Sequence, residues 1–454
     1  MMGVRDALAR LATCLRYWPQ LAAAYLLGLL IREGTIELAA WAGHDHDVWA
    51  SLIMPLAGLA RLGSFVAMFL LLRPAFPELA PDSTRPRRQV NLMASVIVPL
   101  VAIYLAWRMF AEDWLAFERR ALPYRVGEAV TSAVPTELHP DTLPVGTSTL
   151  IIIGGALAAR LALNRIDDRL PRWMLAVRVY VDFLWVFLVL TFSVNKGLTF
   201  LTNPAGWVKE RRFVVWLDHI RSAITGHFHL VQAGWDAAAA ALRVVFGGAL
   251  MPLLWLAVAG IIYDVSAQGE WSGAARRIAG RWADTALART ADRRQRLKQR
   301  WKALPRNVRD ESRKEAEARI GKLRPVADSA RTIAHAGALG LAVYVLAYLA
   351  LAWLDMSGSF YRTQNSPGYL FRGMAWIIGP HPIAFWNAVD GPLILLSHLL
   401  IEPLRIALVA TTFAYCVQHM RADSEDNAKQ DGVRADDVDR GRRGPGGHFE
   451  GQLQ

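Results

Sequence analysis

Glu33, Glu37 and Arg61 lie in the first two long apolar runs of this chain, and Glu402 and Arg405 lie in the last. A charge at the centre of a membrane helix costs about 2.5–3.5 kcal/mol on an insertion scale, so it must pair, face water or snorkel. Glu33 and Glu37 are four residues apart on one helix face, and a cation entering there meets two carboxylates. If the first two runs close as an antiparallel hairpin at Asp45 and His46, residue 33 lies opposite roughly residue 58, with Arg61 about one turn deeper. This register predicts a Glu33 with Arg61 pair. In the last run His398, Glu402 and Arg405 recur at helical spacing, and Pro403 interrupts the backbone ladder beside them. Such a set can exchange protons or bind a cation along a polar pathway, or it can be a group of neutralised pairs that holds a bundle together. Arg178 and Asp182, also four apart, read as a structural pair, and Arg108 and Arg160 as snorkelling side chains near span ends.

Other chemistries find less support. His44, Asp45, His46 and Asp47 gather four metal-binding groups in one turn, and His139, His219, His227, His229 and His381 fall on the same expected side. In a helix, however, His227 and His229 point about 200 degrees apart and share no ion. Without three well-spaced ligands, no metal and no cofactor is expected. The sequence holds no glycine-rich phosphate loop, no His-Glu-x-x-His and no Gly-x-Ser-x-Gly. Cys14 and Cys416 fall at expected cytoplasmic ends and predict no disulfide.

The elements that must position these residues are apolar helices. Hydrophobic residues make up 54% of the 454-residue chain and charged residues only 20%, which places it in the membrane class. At roughly 20 residues per crossing, eight spans are expected: 17–43, 48–72, 90–111, 147–163, 173–195, 244–263, 336–354 and 393–418. The fold class is thus all-α, a polytopic helical bundle. Arg5, Arg10, Arg16, Arg73, Arg85, Arg87, Arg88, Arg165, Arg169 and Arg172 share one side, which sets both termini in the cytoplasm. Trp18, Trp107, Trp114, Trp173, Trp207 and Trp353 lie near span ends, as interface anchors do. Gly154 and Gly155 with Ala158 and Ala159 form small-residue pairs in the fourth span that predict close helix packing.

Four regions follow: six spans over 1–263, a basic loop over 264–335, two spans over 336–420 and a disordered tail over 421–454. The stretch from Arg276 to Arg324 holds 17 Lys/Arg against 6 Asp/Glu and carries most of the formal charge of +12. Its densest part is Arg293, Arg294, Arg296, Lys298, Arg300 and Lys302. These residues suit anionic lipid, or second an acidic cytoplasmic protein; nucleic acid is disfavoured for want of stacking aromatics and a recognisable fold. Phe213, Leu217, Ile220, Ile224, Phe228 and Val231 share one helical stripe and predict an outer amphipathic helix. The Gly-, Pro- and aromatic-rich segment from Met356 to Pro392 predicts a re-entrant or interfacial piece. The leading functional expectation is a transport or permease-like component with an intramembrane charged centre. A scaffold that recruits partners through the basic loop is the alternative, and an enzyme acting on a lipid-linked substrate at the outer face is the weakest reading. Arg outnumbers Lys 44 to 7, which fits a GC-rich coding sequence and a bacterial cytoplasmic membrane.

Overall fold

The computed structural model describes residues 12–43, 47–79, 100–101, 104, 109–131, 147–165, 171, 174–195, 248–263, 327–355 and 368–442. Every regular element among them is helical: α1 (Trp18–Gly43), α2 (Asp47–Leu72), α3 (Met109–Thr131), α4 (Thr147–Arg165), α5 (Met174–Asn195), α6 (Leu250–Tyr263), α7 (Gly337–Leu354), α8 (Tyr369–Ile378) and α9 (Ile383–Arg442), with two short 3-10 turns after α2. Three of the described helices are long and apolar enough to cross a membrane, over Val48–Ala75, Gly337–Leu354 and Ile383–Glu425.

α1 and α2 form the expected hairpin. Small residues let the two backbones approach closely: a Cβ on Gly28 would stand 2.3 Å from the Ser64 Cβ, and one on Gly43 would stand 2.5 Å from the Ala50 Cβ. α9 packs on α1, α2, α6 and α7 and ties the bundle together. The core between them is aromatic. Trp255 of α6 meets Phe65 edge-on at 5.1 Å between centroids, and Tyr263 stacks on Phe413 of α9 at 6.0 Å. Gly260 is required here because a Cβ would fall 2.6 Å from the Ser329 hydroxyl and 2.9 Å from the Phe413 ring. On the other side, Phe110 and Phe187 meet at 5.2 Å, and the Tyr180 hydroxyl donates to the Leu52 carbonyl at 2.7 Å, which fixes α5 to α2.

Several helix ends meet at one level. Arg73 donates to the carbonyls of Leu79 and Tyr263, Arg421 to that of Glu78, and the Thr332 hydroxyl reaches the Met420 sulfur at 3.5 Å. These contacts tie the ends of α2 and α6 to the interior of α9, which continues beyond them.

Three expectations are corrected, and the segment expected to be re-entrant or interfacial gains a helix. The last helix begins at Ile383, ten residues before the expected start, and carries Pro392 and Pro403 internally; Pro403 is buried in the bundle, whereas Pro392 is exposed. It also continues to Arg442, where composition predicts a disordered tail from Arg421. An already formed helix propagates without a new nucleation cost, which carries it past weak helix formers such as Gly432, Val433 and Val438. The segment before it contains a ten-residue helix, α8, closed by Gly379 at φ 85. Finally, Gly154 and Gly155 face open space, and Ala156, with Ile152 and Ile153, packs α4 against α5. Most of the expected third span, the outer stripe 213–231 and residues 264–326 of the basic loop, including Arg293 to Lys302, lie outside the described residues.

Candidate functional site

The charged residues of the apolar helices gather in two neighbouring clusters. In the first, Asp113 near the start of α3 is 1% exposed at its side chain and accepts from Arg32 of α1 at 2.6 Å and from Arg61 of α2 at 3.3 Å. The Tyr104 hydroxyl donates to its other oxygen at 2.7 Å. Arg61 also holds Glu112 at 2.8 Å. Glu33 accepts from Arg32 and from Arg120, and Arg120 donates as well to the Glu33 carbonyl at 2.9 Å. Glu37, 54% exposed at its side chain, accepts from the Tyr124 hydroxyl at 3.0 Å and lies 3.7 Å from Arg120. That hydrogen bond, together with the carboxylate charge, holds the Tyr124 phenol above its ordinary pKa.

The expected pair of Glu33 with Arg61 therefore does not form; Arg61 takes its carboxylates from α3, and Glu33 takes Arg120 of α3 beside Arg32 of its own helix. The hairpin register was sound, but it left α3 out of account. Asp113 and Arg120 are seven residues apart, two turns along one face, so α3 presents an anion to Arg61 and a cation to Glu33. That spacing, directly after an apolar run, is the signal by which these residues could have been found.

The second cluster lies where the end of α7 meets the middle of the apolar part of α9. Arg405 donates to Glu402 at 2.6 Å and to Asp355 at 3.3 Å. The other Asp355 oxygen accepts from the Ser397 hydroxyl at 2.7 Å and lies 3.7 Å from His398 Nε2. The side chains of Asp355, Arg405 and Glu402 are 2%, 3% and 9% exposed, and the Tyr348 ring lies 5.7 Å from the Arg405 guanidinium. Helical spacing explains the alignment of Ser397, His398, Glu402 and Arg405 on one face. Pro403 adds a second local effect, since it lacks the amide that would bond the Leu399 carbonyl inside this turn. Asp355 and Ser397 are absent from the sequence-derived site; the only hint of Asp355 is a lone acid abutting a chargeless span.

The two clusters lie within electrostatic reach of one another. Tyr25 of α1 feels Arg61 together with Glu402, Asp355 and Arg405, and His398 feels Arg61 and Glu112 as well as Glu402 and Arg405. Of the five residues singled out in the sequence, Glu402 and Arg405 pair in the second cluster, while Arg61, Glu33 and Glu37 belong to the first. Taken together, the guanidiniums of Arg32, Arg61, Arg120 and Arg405 face six carboxylates: Glu33, Glu37, Glu112, Asp113, Asp355 and Glu402.

Elsewhere, Arg160 holds Asp182 at 2.9 Å and lies 4.8 Å from the Trp185 ring centroid, with Arg178 at 4.0 Å from the same carboxylate. This is the structural pairing expected of Arg178 and Asp182, with Arg160 as the closer partner. His381 stacks on Phe385 at 4.2 Å. Among the described residues no group of three His, Cys, Asp or Glu side chains is arranged to hold a metal ion.

The fold and site define an all-helical protein with membrane-length apolar helices and a charged centre between them. No family model matches the sequence, and neither a curated protein nor a solved structure matches it.

Proposed function

We propose that this chain is a multi-pass protein of a bacterial cytoplasmic membrane, with eight crossings and both ends cytoplasmic, acting as a transport or permease-like component. Its pathway runs through the centre formed by Arg61, Glu402 and Arg405, with Glu33 and Glu37 at the flank. One observation carries the reading: two carboxylates and a guanidinium are buried together between apolar helices, where charge is retained at high cost. The outer surface of the bundle supports it. Leu30, Ile151, Leu339, Val343 and Leu346 are exposed on helices whose other faces pack inward, as lipid-facing residues are. In this topology the level at which the ends of α2 and α6, at Arg73 and Tyr263, meet Arg421 of α9 lies at the cytoplasmic boundary. Arg293, Arg294, Arg296, Lys298, Arg300 and Lys302 then face anionic lipid on the same side.

A scaffold reading draws on one feature, the continuation of α9 past Met420 as a polar helix that extends to Arg442. Native mass spectrometry of the full chain in mild detergent separates the two. Transport predicts a lone chain retaining a small molecule or ion that Glu402→Gln or Glu33→Gln releases. A stoichiometric protein partner, lost when residues 276–324 are deleted, contradicts transport and supports the scaffold.

A further inference from the structure

We infer that the cluster of Asp355, His398, Glu402 and Arg405 is a proton-binding site, with the proton carried on the Glu402 Oε2 oxygen and delivered from the outer side through His398. As a coupling site it rests on the transport reading above; as a binding site it rests on geometry alone.

Charge and hydrogen bonds both point to Oε2. Arg405 is the guanidinium bonded to both Asp355 and Glu402, so with neutral His398 the cluster carries one uncompensated negative charge. Asp355 has both oxygens engaged, by Ser397 and by Arg405. Glu402 has Oε1 engaged by Arg405, whereas its Oε2 is buried with no hydrogen-bond partner, on a side chain more than nine-tenths buried. An ionised oxygen in that position is costly, and a proton there removes the excess charge. The groups that act on Glu402 are Arg405 and His398 on α9, Asp355 at the end of α7 and Arg61 on α2. Tyr25 on α1 faces the same carboxylate, Tyr348 on α7 lies over Arg405, and Glu112 on α3 acts on His398. None of these supplies a second cation bonded to Oε2.

A proton fits the site better than a metal cation. Sodium or calcium takes several oxygen ligands at once, and one unclaimed carboxylate oxygen beside a guanidinium does not provide them. The route follows from spacing and exposure. His398 sits one turn before Glu402 on the same face, 26% of its side chain is open, and its Nε2 lies 3.7 Å from Asp355. Counting from Met420 at the cytoplasmic boundary, Glu402 is about 27 Å along α9, towards the outer side of a hydrocarbon core about 30 Å thick. His398 does not contact Glu402 Oε2 in the resting arrangement, so a rotation of its side chain precedes the transfer, in which an N–H bond of protonated His398 breaks as an O–H bond forms on Glu402. The imidazole returns to neutral and takes its next proton from water.

Infrared difference spectra of the full chain in lipid, recorded between a pH below and a pH above carboxyl and histidine titration, test the site. The expected result is a carboxylic C=O band that Glu402→Gln removes and Glu402→Asp shifts. A band unaltered in both variants, or no such band in the wild type, overturns the proposal. So does a spectrum that changes with sodium at fixed pH in place of protons. If Glu402→Gln does not fold, the shift in Glu402→Asp decides alone. Proton flux into vesicles separates this inference from the reading on which it rests: the Glu402 band without flux upholds the site and overturns transport, and flux without the band overturns the site and leaves transport standing.

Discussion

Around Asp113, two guanidiniums and a phenol converge on one carboxylate, and α3 supplies further partners for every charge of the hairpin. Around Arg405 the stoichiometry is reversed, with one guanidinium serving two carboxylates in a nearly closed setting. The residue types are the same, but the first arrangement leaves each strong charge a second partner and opens Glu37 and Glu112 outward. The second leaves an oxygen without any hydrogen bond. A cluster with redundant partners serves cohesion, and a cluster that buries a carboxylate oxygen no group bonds is suited to taking up a proton.

The largest effect is expected where redundancy is least. Arg405→Leu leaves Asp355 and Glu402 buried with no compensating guanidinium, and removing one partner of a buried ion pair costs about 3–5 kcal/mol. The yield of monodisperse protein and its thermal unfolding in detergent should show the loss, and wild-type stability would erase the contrast between the clusters. Asp113→Asn should cost less, about 1.5–3 kcal/mol from weakened charged hydrogen bonds, because Arg32 keeps Glu33 and Arg61 keeps Glu112. A loss as large as that of Arg405→Leu would show that the first cluster has no redundancy.

Packing gives a further handle. Gly28→Val inserts side-chain atoms against Ser64 and should cost about 1–3 kcal/mol through overpacking, with partial recovery when Ser64→Gly is added. A double-mutant cycle without coupling would remove the α1 and α2 seam as the element that places Arg61. The smallest change is expected for Glu37→Gln, at about 0–1 kcal/mol for an exposed pair. An unfolding temperature lowered as far as in Asp113→Asn would contradict that ranking.

The sequence made the helical class legible, because apolar runs of membrane length report it directly, and the α1 and α2 hairpin followed from its short acidic turn. Glu402, Arg405 and His398 were legible as a set because they lie within two turns of one helix. The partners were not. Asp355 lies 50 residues from Arg405, and Asp113 lies 81 from Arg32, and no local period links elements that meet only through tertiary packing. The Glu33 with Arg61 pair failed for the same reason: register within a hairpin says nothing about a third helix that competes for both charges. The extension of α9 to Arg442 was missed because composition scores each residue alone, whereas a helix already formed carries its neighbours with it.

If the buried centre is a pathway and not only a set of cohesive pairs, protons pass through it. Proton flux into vesicles containing equal amounts of folded wild-type, Glu402→Gln and Glu37→Gln protein, read with an entrapped pH-sensitive dye, tests it most directly. The account predicts flux in the wild type, loss of at least about tenfold in Glu402→Gln, as for removal of a group that handles the proton, and near wild-type flux in Glu37→Gln. Wild-type flux in Glu402→Gln, or none in any of the three, would contradict it.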